Sequence, residues 1–101
     1  MGMANLQKMA QQMQQEMVRV QGELESTTVE GSSGGGVVNV VATGKQELVS
    51  ITIDPSVVDP GDLEMLQDLV LAAVNEALRV SRDLAEQKMA AVTGGLRLPG
   101  M

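Results

Sequence analysis

Five basic side chains fall into two groups along this chain: Lys8 and Arg19 near its start, and Arg79, Arg82 and Lys88 in its last third. At about 100° per residue on a helix, Lys8 and Arg19 lie within about 20° of each other, with Gln12 and Gln15 between them on the same face. Arg79 and Arg82 are three apart and share a side, whereas Lys88 sits closer to an apolar arc. Cations flanked by glutamine amides are suited to holding phosphate oxygens, because the amides donate hydrogen bonds without adding charge. The blander alternative is a solvated face in which each arginine has an acidic neighbour: Glu16 for Arg19, Glu76 for Arg79 and Glu86 for Arg82. From charge alone, that alternative is the stronger.

Other chemistry is poorly supplied. The 101 residues include no histidine and no cysteine, which removes the usual general base, the usual soft metal ligands and the thiol nucleophile. "GSSGGGVV" (31–36 and the two valines after it) lacks the Lys-Ser/Thr pair of a phosphate loop and leads into a strand, not a helix. The carboxylates Asp54, Asp59, Asp62 and Glu64 lack the spacing of a calcium loop and read better as helix and turn caps. No enzyme activity, metal, cofactor or small-molecule substrate is expected.

The net charge is −6 and the sequence pI about 4.4, which taken whole argues against nucleic acid. Its distribution matters more. Residues 1–22 sum to +1, residues 23–68 to −8, and residues 69–101 to +1. The ends of the chain are therefore mildly cationic and the middle strongly anionic. No apolar run approaches the ~20 residues that span a bilayer. The opening has no secretory pattern, and the lack of cysteine fits a reducing compartment. A cytoplasmic, soluble protein is expected, without a membrane partner.

The elements that would position these residues follow from periodicity. Met3, Leu6, Ala10, Met13, Met17, Val20 and Leu24 step by three and four, which predicts a helix over 3–25 with a heptad seam. Residues 26–54 predict three strands in an antiparallel meander, with "GSSGGG" and "GKQ" as breaks. In the last strand Val49, Ile51 and Ile53 alternate with Ser50 and Thr52, so one face should be covered. Asp59 as N-cap and Pro60 at the first helical position predict a second long helix, straight or kinked, over 60–92, followed by a tail, 93–101. The chain reads as one α+β domain, residues 1–101. Its core is small and without aromatics, and the apolar arc of the second helix (Leu71, Val74, Leu78 and Met89 beside the seam) is wider than three strands can cover. Both features favour a homodimer.

Three passages together are similar to the YbaB/EbfC family of bacterial nucleoid-associated proteins: the Gln/Met-rich opening helix, "VEGSSGGGVVNVVATGKQELVSITIDPSVV", and "DLEMLQDLVLAAVNEALRVSRDLAEQKMAAVTGGLRLPG". The resemblance covers nearly the whole chain. It implies an α+β homodimer of tweezer-like outline that binds double-stranded DNA in the nucleoid, with a sequence preference that varies between members; for this chain, largely sequence-tolerant backbone contacts that bridge or compact duplexes are expected. Lys8, Gln12, Gln15, Arg19, Arg79, Arg82 and Lys88 are then the candidate DNA contacts. Family members often carry more lysines in the opening helix and a basic residue where Asn39 stands, so phosphate contacts should be few and binding salt-sensitive. With no aromatic side chain to stack on bases, duplex is expected over single strands. The competing expectation is a protein-interaction module whose Met-rich first helix grips another protein.

Overall fold

Glutamine, glutamate, methionine and alanine dominate the opening stretch, and all are good helix formers. The computed structural model, which describes residues 2–95, accordingly begins with α1, Gly2–Ser26. Strands β1 (Thr28–Ser33), β2 (Val38–Thr43) and β3 (Leu48–Ile53) follow, then a 3-10 turn at Pro55–Val57 and α2, Leu63–Gly95. The sheet order is β1-β2-β3, antiparallel throughout. This is the expected α+β architecture: an N-terminal helix, a three-stranded meander and a long C-terminal helix. The molecule is elongated, 72 × 26 × 16 Å, with a radius of gyration of 19.7 Å, where a compact chain of this length would have ~13 Å.

The core lies between α2 and the first two strands. Val38, Val40 and Ala42 alternate inward along β2 and are fully buried against Ala73 and Ala77, one turn apart on α2. Gly31 in β1 pairs with Val40. A Cβ at Gly31 would stand 2.3 Å from the Ala77 amide nitrogen and 2.7 Å from the Ala73 carbonyl oxygen. Glycine is needed there because two backbones meet, not because the chain turns. The expected break at 31–36 is therefore shorter than its composition suggests. Gly31, Ser32 and Ser33 continue β1, and the reversal is confined to Gly34, Gly35 and Gly36, all at positive φ.

A second fixed point is Ser81, fully buried in the middle of α2. Its hydroxyl donates to the Thr43 carbonyl oxygen at 2.7 Å and accepts from the Gln46 amide at 3.1 Å. It thus secures the β2–β3 turn, in which Gln46 itself holds a positive φ of 64°. The same turn receives the end of α1, as the Gly44 amide donates to the carbonyls of Leu24 and Thr27, both at 2.9 Å.

The start of α2 differs from expectation. Asp62, not Asp59, is the cap: its Oδ1 accepts from the Met65 amide at 3.1 Å, and the helix begins at Leu63. Asp59 instead closes the preceding turn, accepting from the Gly61 amide at 2.9 Å, with Pro60 inside that turn. A proline after an aspartate suits a tight turn as well as a helix start, so local sequence did not separate the two. The helix also continues through 93–95, and the remainder of the expected tail lies outside the described residues.

Two apolar surfaces expected to be covered are open within the chain. β3 is an edge strand of the sheet and α2 lies mainly over β1 and β2, so β3 is little covered: Val49 is 58% and Ile51 45% exposed, while Ile53 packs against the core. Of the α1 seam, Val20 and Leu24 are buried with Val92, and Met13, Leu84, Ala85 and Met89 pack around them. Met3 and Leu6 remain 77% and 65% exposed. The heptad pattern correctly marks the helix face but meets α2 only over its last part.

Replacing Ser81 with alanine removes two part-buried hydrogen bonds and leaves the Thr43 carbonyl and the Gln46 amide with only the 3.1 Å bond they make to each other. Urea unfolding should show a loss of about 1–3 kcal/mol; an unchanged midpoint would mean that the turn does not depend on this hydroxyl.

Candidate nucleic-acid interface

The second half of α2 runs beyond the sheet and, with α1, forms an arm. Most of the candidate cations lie along it. Arg19 is exposed on α1, yet its guanidinium is engaged on both sides. Nη2 and Nε donate to Glu16 Oε2 at 2.6 and 3.1 Å, and Nη1 donates to Glu23 Oε1. On α2, Arg79 repeats the arrangement: Nη2 and Nε donate to Glu76 at 2.6 and 3.2 Å, and Nη1 to Asp83 at 2.9 Å. Hydrogen bonds from Arg79 hold the Glu76 carboxyl below the usual glutamate range, and Glu76 in turn raises the Arg79 guanidinium. Arg19 is raised chiefly by Glu16.

Lys88 belongs to the contact between the two helices. Its Nζ donates to Glu23 Oε2 at 3.2 Å, and this bond is the main reason the Glu23 carboxyl lies below its usual range, with Arg19 adding to it. Glu23 therefore receives a cation from each helix. Sequence reasoning missed it. The four-residue spacing from Arg19 was a readable signal, but the Lys88 contact joins residues 65 apart.

Among the described residues, Lys8 and Arg82 form no ion pair. Lys8 lies on the part of α1 that projects past the α1–α2 contact, and Gln12 and Gln15 are exposed on the same helix. Arg82 is exposed on α2. Of the intrahelical pairs expected from sequence, Glu16–Arg19 and Glu76–Arg79 form; Arg82–Glu86 does not, and Asp83 pairs with Arg79 instead. Lys45 pairs with Glu25 at 3.3 Å. The acid-rich middle of the sequence is at the other end, where Asp54 accepts from the Ser56 amide and is lowered by it. Among the described residues, no cluster of carboxylates could hold a metal ion and no helix is long and apolar enough to cross a membrane.

The chain is thus a slender α+β protein of two long helices and a three-stranded antiparallel sheet, with paired and unpaired cations along the helices. Residues 1–96 match the YbaB/EbfC DNA-binding family, and the chain belongs to that family, which consists of DNA binders and not enzymes. It is 59% identical over 100 residues to a nucleoid-associated protein of Ruminiclostridium cellulolyticum, covering 98% of this chain and 87% of the relative. It is 58% identical over 103 residues to one of Moorella thermoacetica, covering 99% of both chains. In fold it resembles a crystal structure of an uncharacterized protein from Helicobacter pylori, with a TM-score of 0.76 at 26% identity over 96% of this chain and 99% of that one.

The Glu23 bonds make the arm pH-sensitive in a definite direction. A carboxyl held below its usual range stays charged in the folded protein where unfolded glutamates already take up protons. Its contribution is present above the unfolded value and is lost as pH falls through the folded one. Between about pH 6 and about pH 3, the thermal midpoint should fall less steeply in Lys88→Met than in the wild type. Parallel curves would show that the Lys88–Glu23 bond is uncoupled from folding.

Proposed function

We propose that the protein is a nucleoid-associated, homodimeric binder of double-stranded DNA in the cytoplasm, bridging or compacting duplexes through backbone contacts with little sequence preference. The observation that carries this reading is the separation of charge. Among the described residues Lys8 and Arg82 stand exposed and unpaired along the two long helices, while most of the acids of residues 23–68, whose net charge is −8, lie on the strands, their turns and the start of α2. Lys8, Gln12, Gln15, Arg19, Arg79, Arg82 and Lys88 are the proposed contacts, with Lys8 and Arg82 leading because no carboxylate has to be displaced. The names of the relatives support the nucleoid as the setting. Changing Lys8 and Arg82 together to glutamate should weaken a gel shift at low salt and make the slope of log K against log salt shallower by about 0.9 for each phosphate no longer neutralised. Unchanged affinity and slope would remove these residues from the interface.

Homodimerisation is supported by the uncovered apolar edge of the sheet. Val49 and Ile51 on β3 and Leu71 on α2 are largely exposed, and an open strand with such side chains invites pairing unless it is covered. A two-fold pairing would double the arms and raise avidity through effective concentration. Sedimentation with and without duplex should give a dimer in both conditions, and Ile51→Lys should halve the mass. A monomeric wild type would end the dimer reading.

The exposed Met3, Leu6, Met9 and Met17 support a second reading, a module in which α1 grips another protein. A fluorescent duplex titrated at low salt discriminates the two, since complete absence of binding favours the module.

A further inference from the structure

Of the three arginines among the described residues, Arg19 and Arg79 have their guanidinium groups occupied, and in the same way. Glu16, Arg19 and Glu23 on α1 have the spacing i−3, i, i+4, and so do Glu76, Arg79 and Asp83 on α2. In each triplet the glutamate before the arginine accepts from Nε and Nη2, and the acid after it accepts from Nη1. A guanidinium presents its donors in a fixed fork that takes a carboxylate or a phosphate in the same geometry. The carboxylates therefore occupy the positions that phosphate oxygens would take. Neither arginine is needed to fill a core, since about half of each side chain is exposed. Exposed pairs of this kind are weak and give way to a denser anion.

We propose that Glu16, Glu23, Glu76 and Asp83 act as internal phosphate mimics that mask Arg19 and Arg79, and so set how tightly, and with what salt dependence, the arm holds DNA. This rests on the reading of the arm as the DNA surface. Lys8 and Arg82 make the first contacts because they need displace nothing. Arg19 and Arg79 join only when backbone phosphates take the place of the acids. That exchange keeps the bound protein easily released, and it places the determinant of affinity in residues that repel the ligand.

The test pairs Glu76→Gln with Asp83→Asn, which removes both masks from Arg79 within one helix and leaves the α1–α2 contact intact. Glu16→Gln is the corresponding change on α1, chosen over Glu23 because Glu23 also holds Lys88. A control, Glu64→Gln with Asp68→Asn at the start of α2, makes the same change in net charge far from the arm. Affinity for a duplex of random sequence is measured across a salt series. The α2 double variant should bind about two- to fivefold more tightly for each arginine released, with a slope steeper by about 0.9 for each additional phosphate neutralised. The control should leave the slope unchanged. Equal gains in variant and control would reduce the effect to net charge and overturn the proposal, as would no gain in the variant. If the wild type binds and responds to Lys8 and Arg82 but not to the acids, only the masking fails. If neither the wild type nor the unmasked variant binds at low salt, the arm is not a DNA surface and both readings fall.

Discussion

Between Gly31 of β1 and the turn of α2 that carries Ala73 and Ala77 there is no room for a side chain. This close approach of helix backbone to strand backbone sets where α2 lies. With Val38, Val40 and Ala42 beneath it, the helix packs over β1 and β2, and Ser81, one turn beyond Ala77, fastens it to the β2–β3 reversal. Helices pack closely only where small residues allow it, and here glycine on the strand and two alanines on the helix supply the space. Much of the remaining shape is a consequence.

One consequence is that α2, at 33 residues, is far longer than the six-residue strands it lies on. Its second half leaves the sheet and needs another surface. α1 provides it through Val20 and Leu24 against Val92, reinforced by Glu23 between Arg19 and Lys88. The resulting arm is thin and has a small core, which accounts for a radius of gyration well above that of a compact chain. The other consequence is that β3 receives little cover, Ile53 alone reaching the core packed under α2. Its apolar face stays open at the sheet edge, and the projecting half of the α1 seam stays open at the far tip.

The arrangement also sorts charge. The arm is nearly neutral overall, but its cations are not equivalent. Arg19, Arg79 and Lys88 are held by acids a turn away or on the neighbouring helix, whereas Lys8 and Arg82 are not. A DNA-binding family member with an acidic chain is less paradoxical on this basis. Long-range repulsion from the sheet end is screened within about 10 Å at moderate salt, while the arm, tens of ångströms long, carries its cations outward. On the proposed reading, local pairing, more than net charge, sets the strength of a phosphate contact.

The amino-acid sequence by itself determined the elements, because they depend on short-range periods: the three-and-four stepping of Met3 through Leu24, the alternation of β3, and the 3.6-residue arc of α2. It also carried the family, since those passages are distinctive along nearly the whole chain, and it showed two of the ion pairs, Glu16–Arg19 and Glu76–Arg79, because helical neighbours three apart must meet. Tertiary structure decided what periodicity cannot express. Gly31 looked like part of a glycine-rich break and proved to be a packing contact, since only the approach of α2 distinguishes the two. Asp59 and Asp62 both had capping chemistry, and the path of the chain into α2 chose between them. Ser81, the joining of Lys88 to Glu23, and the exposure of β3 and of the α1 tip all depend on which surfaces meet across tens of residues. An apolar stripe in a sequence states that a face seeks cover, and only the packed chain shows whether it finds any.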